Sequence, residues 1–234
     1  MTAVVFYPIA WLGKTTMNGA ENIRRSGGIL LVMNHISHLD PPMDAVFVHR
    51  NGRVPRFLAK ASLFRVPVFK RMISGAGSIP VYRESASAGD SLVAAREALD
   101  NGKLIVIYPE GTITKDPDGW PMRSRTGVAR LAVHCLENDV PVITAARWGT
   151  RDILHSYTKK FRPFPRKKVT FDVSEPVDLS RFKGRELDND LLREVTDFLM
   201  TRVREQLAGL RDEPAPDGFY SPARAKKKSA GTDG

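Results

Sequence analysis

The sequence predicts an α/β domain with a largely parallel central sheet flanked by helices, and three observations carry that expectation. Short apolar runs alternate along the chain with segments whose apolar residues recur about every 3.6 positions, the pattern of strands separated by helices. One run, Leu104–Tyr108, is apolar without alternation, as expected of a strand covered on both faces. At 234 residues, 42% hydrophobic and 26% charged, the chain can bury one full core and is too polar for a multispanning protein.

The elements follow in order. Residues 3–12 are apolar, but Pro8 interrupts them and a spanning helix needs about 20 apolar residues. No basic start or cleavage site marks a signal peptide. The segment reads equally as an interfacial anchor and as a buried first helix. Strands are expected at Ile29–Met33, around Phe57–Ala59, and at Ile79–Tyr82, Leu104–Tyr108, Val140–Ala145 and Lys168–Val173. Leu92, Ala95, Ala98 and Leu99 mark a helix that stops near Gly102. Val128, Leu131, Ala132, Cys135 and Leu136 mark another, which makes the lone cysteine a core residue. The clearest stripe runs from Leu191 through Val195, Leu199, Val203 and Leu207 to Leu210, starting at Asn189 or Asp190 and closing near Gly209. The domain is therefore expected to span 1–211. Beyond it, residues 212–234 turn to Pro, Gly, Ala, Asp and Lys, the composition of a disordered tail.

The net charge of +10 is concentrated. Residues 50–71 carry seven Lys/Arg and no acid, residues 151–168 carry seven and one acid, and the rest of the chain is slightly acidic. The first segment interleaves Phe57, Leu58, Leu63, Phe64 and Phe69 among its cations, which suits an anionic membrane surface. It also suits single-stranded nucleic acid. No Cys/His cluster has zinc spacing and HExxH is absent, so neither a metal nor a cofactor is expected.

The chemistry gathers after Ile29–Met33, where the chain reads Asn34-His35-Ile36-Ser37-His38-Leu39-Asp40-Pro41-Pro42. Catalytic groups of open α/β sheets collect at the carboxyl ends of strands. His35 and Asp40 are five residues apart, about 140° on a continuous helix, so a turn must fold the carboxylate back onto the imidazole. Asp40 would then fix the tautomer while the other ring nitrogen takes a proton from a hydroxyl. An acid five residues after some histidine arises by chance in roughly 45% of chains of this composition. Position and company carry the reading instead. Gly77-Ser78-Ile79-Pro80-Val81-Tyr82-Arg83 sets a strand between a glycine turn and an arginine, and Leu104–Tyr108 ends in Pro109-Glu110-Gly111-Thr112. Ser37 lacks a G-x-S-x-G elbow, so it is not a nucleophile candidate. His38 reads as local support, and His49, His134 and His155 as structural.

Four blocks in order, NHISHLD, GSIPVYR, YPEGTIT and VPVI, resemble those of the glycerolipid acyltransferase family, specifically the 1-acylglycerol-3-phosphate acyltransferases. FLAKASLFRVP, with Lys60, and SRTGVARLA are lesser likenesses, and together the blocks cover about residues 30–145. The resemblance implies the glycerolipid acyltransferase fold and His35 with Asp40 as the catalytic H-x4-D. It implies Arg83 as the arginine for the acceptor's phosphate, with Glu110, Gly111 and Thr112 helping to bind the acceptor. Lys60 and Gly77 join the substrate-binding set, and Pro141 falls in the block associated with the acyl donor. The donor would be acyl-CoA or acyl carrier protein and the acceptor a lysophospholipid, at the cytoplasmic face of a membrane to which the protein is peripheral. Ile113 stands where the family usually has arginine, so Lys115, Arg123 or Arg125 would have to supply that cation. Other readings are an acyltransferase for a lyso-ornithine lipid or glycolipid, a noncatalytic membrane tether, or a nucleic-acid binder. The last two need neither His35 nor Asp40 beside a PEGT turn, and no nucleic-acid partner is expected.

Overall fold

Five consecutive apolar side chains at Ile29–Met33 leave no polar position on either face, so this segment is stable only as a strand covered on both sides. The computed structural model describes residues 2–65, 77–81 and 88–222 and puts this strand in the middle of a sheet. Among the described residues the sheet has seven strands: β1 (Gly13–Asn18), β2 (Ile29–Met33), β3 (Pro55–Lys60), β4 (Ile79–Val81), β5 (Leu104–Ile107), β6 (Val142–Trp148) and β7 (Lys167–Pro176). Their order is β1-β7-β6-β2-β5-β3-β4. β2 pairs in parallel with β5 and β6, and β3 and β4 continue the parallel set. β7 returns antiparallel to β6, and β1 lies parallel to β7. The chain is thus a single α/β domain with a mostly parallel sheet.

Alternation along β2 divides the core. Leu30 and Val32 face a layer built by α3 (Ala88–Asp100), α4 (Gly127–Glu137) and α6 (Asn189–Arg211), where they meet Leu99, Leu131, Val195 and Leu199. Ile29, Leu31 and Met33 face α2 (Asp40–Arg50), whose Phe47 ring stacks on Phe171 of β7 at 4.6 Å. Two short helices, α1 (Tyr7–Ala10) and α5 (Thr150–Ile153), complete the elements used below. Cys135 is fully buried, and burial pushes its thiol up to about 12.

Several expectations change. β1 has no apolar run to announce it: as an edge strand it alternates buried, exposed and half-buried residues through Lys14, Thr15 and Thr16. β6 runs on to Trp148, three residues past its expected end. Helix α2 begins at Asp40 with Pro41 and Pro42 in its first turn, where a missing N–H costs nothing. Residues 3–12 are neither wholly anchor nor wholly core, since Ala10 is buried while Val4, Val5 and Trp11 are exposed. Among the described residues no helix is long and apolar enough to cross a membrane. Among the described residues of the cationic stretch 50–71, Arg50, Lys60, Leu63 and Arg65 are exposed and others are internal. The buried Arg53 donates to the carbonyls of Arg24, Gly27 and Gly102, and Phe57 is buried within β3. Residues 66–71 lie outside the described residues. The expected tail does not begin at 212. Asp212 takes a left-handed conformation that ends α6, Arg123 N donates to Tyr220 O at 2.9 Å, and Phe219 packs on the core. Residues 223–234 lie outside the described residues.

Helix α6 is held by its buried stripe and by Asp188, whose side chain accepts from Leu191 N at 2.7 Å as an N-cap. Leu199 is fully buried against β2 and α4. Leu199→Ala should therefore cost about 2–5 kcal/mol, and Asp188→Ala about 1 kcal/mol. Urea denaturation with unchanged slopes checks both, and an Asp188 loss equal to that of Leu199 would contradict this division of the helix's stability.

Candidate active site

Parallel strands bring the ends of β2, β5 and β6 to one edge of the sheet, and the candidate site is built there. Just past β2, Asn34 replaces the ladder with its side chain: Nδ2 donates to Arg147 O and Oδ1 accepts from Arg147 N, both at 2.9 Å. That bridge fixes where the chain leaves the sheet. Ser37 Oγ donates to Leu154 O at 2.8 Å and His38 N to Ser156 Oγ at 2.9 Å, pinning the following turn to the segment after α5. The turn then delivers Asp40 at the head of α2 back beneath His35.

The Asp40 carboxylate is saturated with donors. Oδ2 accepts from His35 Nδ1 at 2.9 Å, Ile36 N at 2.6 Å, Ser37 N at 2.7 Å and Arg147 Nη2 at 2.6 Å, and Oδ1 accepts from Thr150 Oγ1 at 2.6 Å. Burial alone would raise this carboxyl, but Arg147 and His35 outweigh it and hold Asp40 down at about 2. It is an anion at any ordinary pH. The imidazole keeps an exposed edge, its side chain being 14% accessible, and Nε2 has no partner among the described residues. One ring face lies on Tyr108, with centroids 4.5 Å apart and planes 16° from parallel.

Arg147 is the buried counter-charge. Its Nη1 grips both oxygens of Asp44, at 2.6 and 2.7 Å, while Nη2 spans Asp40 and Asn34 O. Tyr108 donates its hydroxyl to Asp44 Oδ2. Burial pushes Asp44 up to about 6, with Arg147 pulling the other way. Two carboxylates therefore share one guanidinium. With Asp44 ionised this group carries one net negative charge, and it becomes neutral when His35 takes up a proton. Arg147 alone beside Asp40 would cancel the charge that an imidazolium needs; Asp44 restores it.

The sequence-derived residues do not all meet here. Glu110 does reach the site, but as a brace: it is 3% exposed, Oε1 accepts from His35 N at 2.9 Å and Oε2 from Met122 N at 3.0 Å. Both oxygens are committed to the backbone, which removes Glu110 from direct acceptor binding. Gly111 has φ 72° and spends its N–H on Tyr108 O at 2.9 Å, so it cannot serve as an oxyanion donor. Thr112 is exposed beside it. Lys60 ends β3 at the same edge, exposed, two strands from β2. Pro141 and Gly77 lie toward the other edge. Pro141 precedes β6 and its carbonyl binds Leu30 N, and Gly77 packs on Arg56 two residues before β4. The register sets these positions five or six residues before His35, on the order of 16–20 Å along the strands. Neither lies beside the imidazole of His35. Arg83 lies outside the described residues. Ile113 is buried with its carbonyl bound by Tyr157, and Arg125 is the cation that packs against Gly111.

Sequence reasoning missed Arg147, Asp44, Asn34 and Thr150. Two signals were present: an arginine inside the apolar run of β6, and acids at 40 and 44, one helical turn apart on an otherwise apolar helix.

Burial pushes the Glu110 carboxyl from 4.5 up to about 8, partly offset by its two backbone donors. A folded value above the ordinary one gives stability that is full below about pH 4.5 and is lost as pH rises through about 8. Unfolding free energy should therefore fall between about pH 5 and pH 9, and Glu110→Gln should fall less over that window. Urea midpoints of the two proteins check this, and parallel decline would count against it.

Three comparisons with known proteins stand beside this geometry. Among curated proteins no relative matches the chain. Among solved structures the fold is similar to the crystal structure of the 1-acyl-sn-glycerophosphate (LPA) acyltransferase PlsC from Thermotoga maritima, with a TM-score of 0.61 and 24% identity over 88% of this chain and 78% of that one. At that identity the likeness speaks for the fold. A family model described as Acyltransferase matches residues 14–148, a span that runs from β1 to the end of β6 and takes in His35, Asp40, Asp44, Glu110 and Arg147. Since that match covers more than half of the chain, the chain belongs to the acyltransferase family.

Proposed function

We propose that the chain moves a fatty acyl group from a thioester donor to the sn-2 hydroxyl of 1-acylglycerol-3-phosphate, giving phosphatidic acid. The observation that carries the reading is the imidazole of His35, with Nδ1 on a buried carboxylate and Nε2 open at the sheet edge. Family membership supports acyl transfer, and the similar fold of an LPA acyltransferase supports the acceptor.

In the proposed reaction the acceptor hydroxyl lies against Nε2, which removes its proton as oxygen attacks the thioester carbonyl. Asp40 holds the tautomer, and the net negative group behind it stabilises the imidazolium. The tetrahedral intermediate collapses, the carbon–sulfur bond breaks, and the imidazolium returns its proton to the departing thiolate. No acyl-enzyme and no cofactor are required. The donor is acyl-CoA or acyl carrier protein. Arg83, Arg125 and Lys60 are the cations proposed for the acceptor's phosphate, and the reaction is proposed at the cytoplasmic face of the membrane. A second reading, a lyso-ornithine lipid or glycolipid acceptor, is favoured by one observation: Ile113 is buried where the family resemblance expects arginine.

His35→Ala should lower turnover by ~10²–10⁴-fold with the circular dichroism unchanged, and Asp40→Asn should act in the same direction. Thiol release from acyl-CoA with lysophosphatidic acid measures this, and undiminished turnover in folded His35→Ala would end the proposal.

Arg83→Lys keeps the charge but not the two-pronged grip on phosphate. It should lower acceptor affinity or turnover while leaving acceptor-free hydrolysis of acyl-CoA unchanged, and phosphate-free acceptors should be poor substrates. If native enzyme and variant treat both acceptor types alike, the second reading takes over.

A further inference from the structure

Among the described residues, the most exposed aromatic side chains lie toward the edge of the site just described. Trp11 and Phe164 are 55% and 65% exposed, yet they touch each other edge to face at 6.2 Å. Arg166 lays its guanidinium over the Trp11 ring at 4.7 Å and donates from Nη2 to Gly13 O at 2.7 Å, which locks the cluster to the start of β1. Tyr157 and Phe161, on the same loop as Phe164, are also more than half exposed. Adjoining aromatic rings that stay this exposed make an apolar patch of the kind that marks an interaction surface.

Sheet topology says where this cluster sits. Gly13 pairs with Lys167, so β1 and β7 start side by side. β7 is antiparallel to β6 and Thr170 lies opposite Trp148, so those starts share the edge at which β6, β2 and β5 end. That is the edge of His35. The loop is tied to the site at three points: Ser37 Oγ to Leu154 O, His38 N to Ser156 Oγ, and Tyr157 hydroxyl to Ile113 O. From 153 to 168 the chain holds six Lys/Arg and no acid.

We propose that Trp11, Phe164 and the cationic loop 157–168 form the face that seats the protein on an anionic phospholipid bilayer, with the opening at His35 turned toward the headgroups. Aromatic side chains favour the headgroup layer and lysines and arginines the anionic surface, so one face satisfies both requirements. It is separate in sequence from residues 50–71, of which Arg53 and Phe57 are internal. The inference rests on the acyl-transfer reading only in taking a membrane lipid as substrate. Vesicle binding is measured without catalysis.

The test is co-sedimentation of the full chain with vesicles of phosphatidylcholine alone and of phosphatidylcholine with phosphatidylglycerol. Lys159→Glu with Lys160→Glu and Arg162→Glu should weaken binding to the anionic vesicles by on the order of 100-fold or more. Phe164→Ser should weaken it independently of charge, and brominated lipid should quench native tryptophan fluorescence but not that of Trp11→Phe. Trp120 is buried and Trp148 half-buried, so Trp11 is the exposed reporter. Arg50→Glu with Arg65→Glu should change binding little. The proposal is overturned if native protein does not bind anionic vesicles, if the 159–162 variants or Phe164→Ser bind as native does, or if the Arg50 and Arg65 changes weaken binding more. It is also overturned if the loop variants lose only transfer from acyl carrier protein. Transfer to a water-soluble short-chain acceptor separates the two proposals: vesicle binding without transfer removes the chemistry and keeps the surface, and the converse removes the surface alone.

Discussion

Arg147 carries a permanent charge in the middle of a β-strand, with no accessible surface, and everything around the site is arranged to make that possible. A guanidinium in such a place needs anions and acceptors in fixed positions. Asp40 and Asp44 supply the anions from successive turns of α2, and Asn34 O supplies a neutral acceptor from the end of β2. One side chain therefore locks helix, central strand and β6 together at the edge where chemistry is proposed. Its Nε has no hydrogen-bond partner among the described residues, so the arrangement is strong in charge and incomplete in hydrogen bonding. The stability it costs is offset by what it holds still: an imidazole that cannot swing, because the carboxylate under it cannot move.

The same constraint separates two kinds of acid. Asp40 receives so many donors that protonating it would break several contacts at once, which is why it stays an anion. Glu110, equally buried, has the backbone donors of Met122 and His35 and the side chain of Thr114 but no paired cation among the described residues, and burial dominates. Neighbouring carboxyls thus differ because one faces a guanidinium and the other does not. Asp44 lies between them, opposed by burial and supported by Arg147, so the net charge behind His35 changes within reach of neutral pH.

Legibility in the sequence followed burial on two faces. β2, β5 and the stripes of α3, α4 and α6 could be read because the core selects their residues completely. β1 could not, since an edge strand with one wet face accepts Lys14 and Thr16 and looks like a loop. The His35–Asp40 pair was readable because both members sit in one short turn. Arg147 was not, because its partners are more than a hundred residues away in sequence and a lone charge does not name them. How far Pro141 and Gly77 stand from His35 was not readable for a related reason. They belong to blocks that resemble a family's, but in a parallel sheet the residue before a strand and the residue after it stand at opposite edges.

β1 is an outer strand whose neighbour in the sheet is β7, so the earliest strand to be made pairs with the latest. At 5–20 residues per second, a ribosome needs roughly 8–30 s to synthesise the chain between them. Throughout that interval Trp11 has neither Phe164 nor Arg166 beside it, and Gly13 has no strand to join. The aromatic face can form only when both ends of this span have been made, while α6, which covers one side of β2, is still to come.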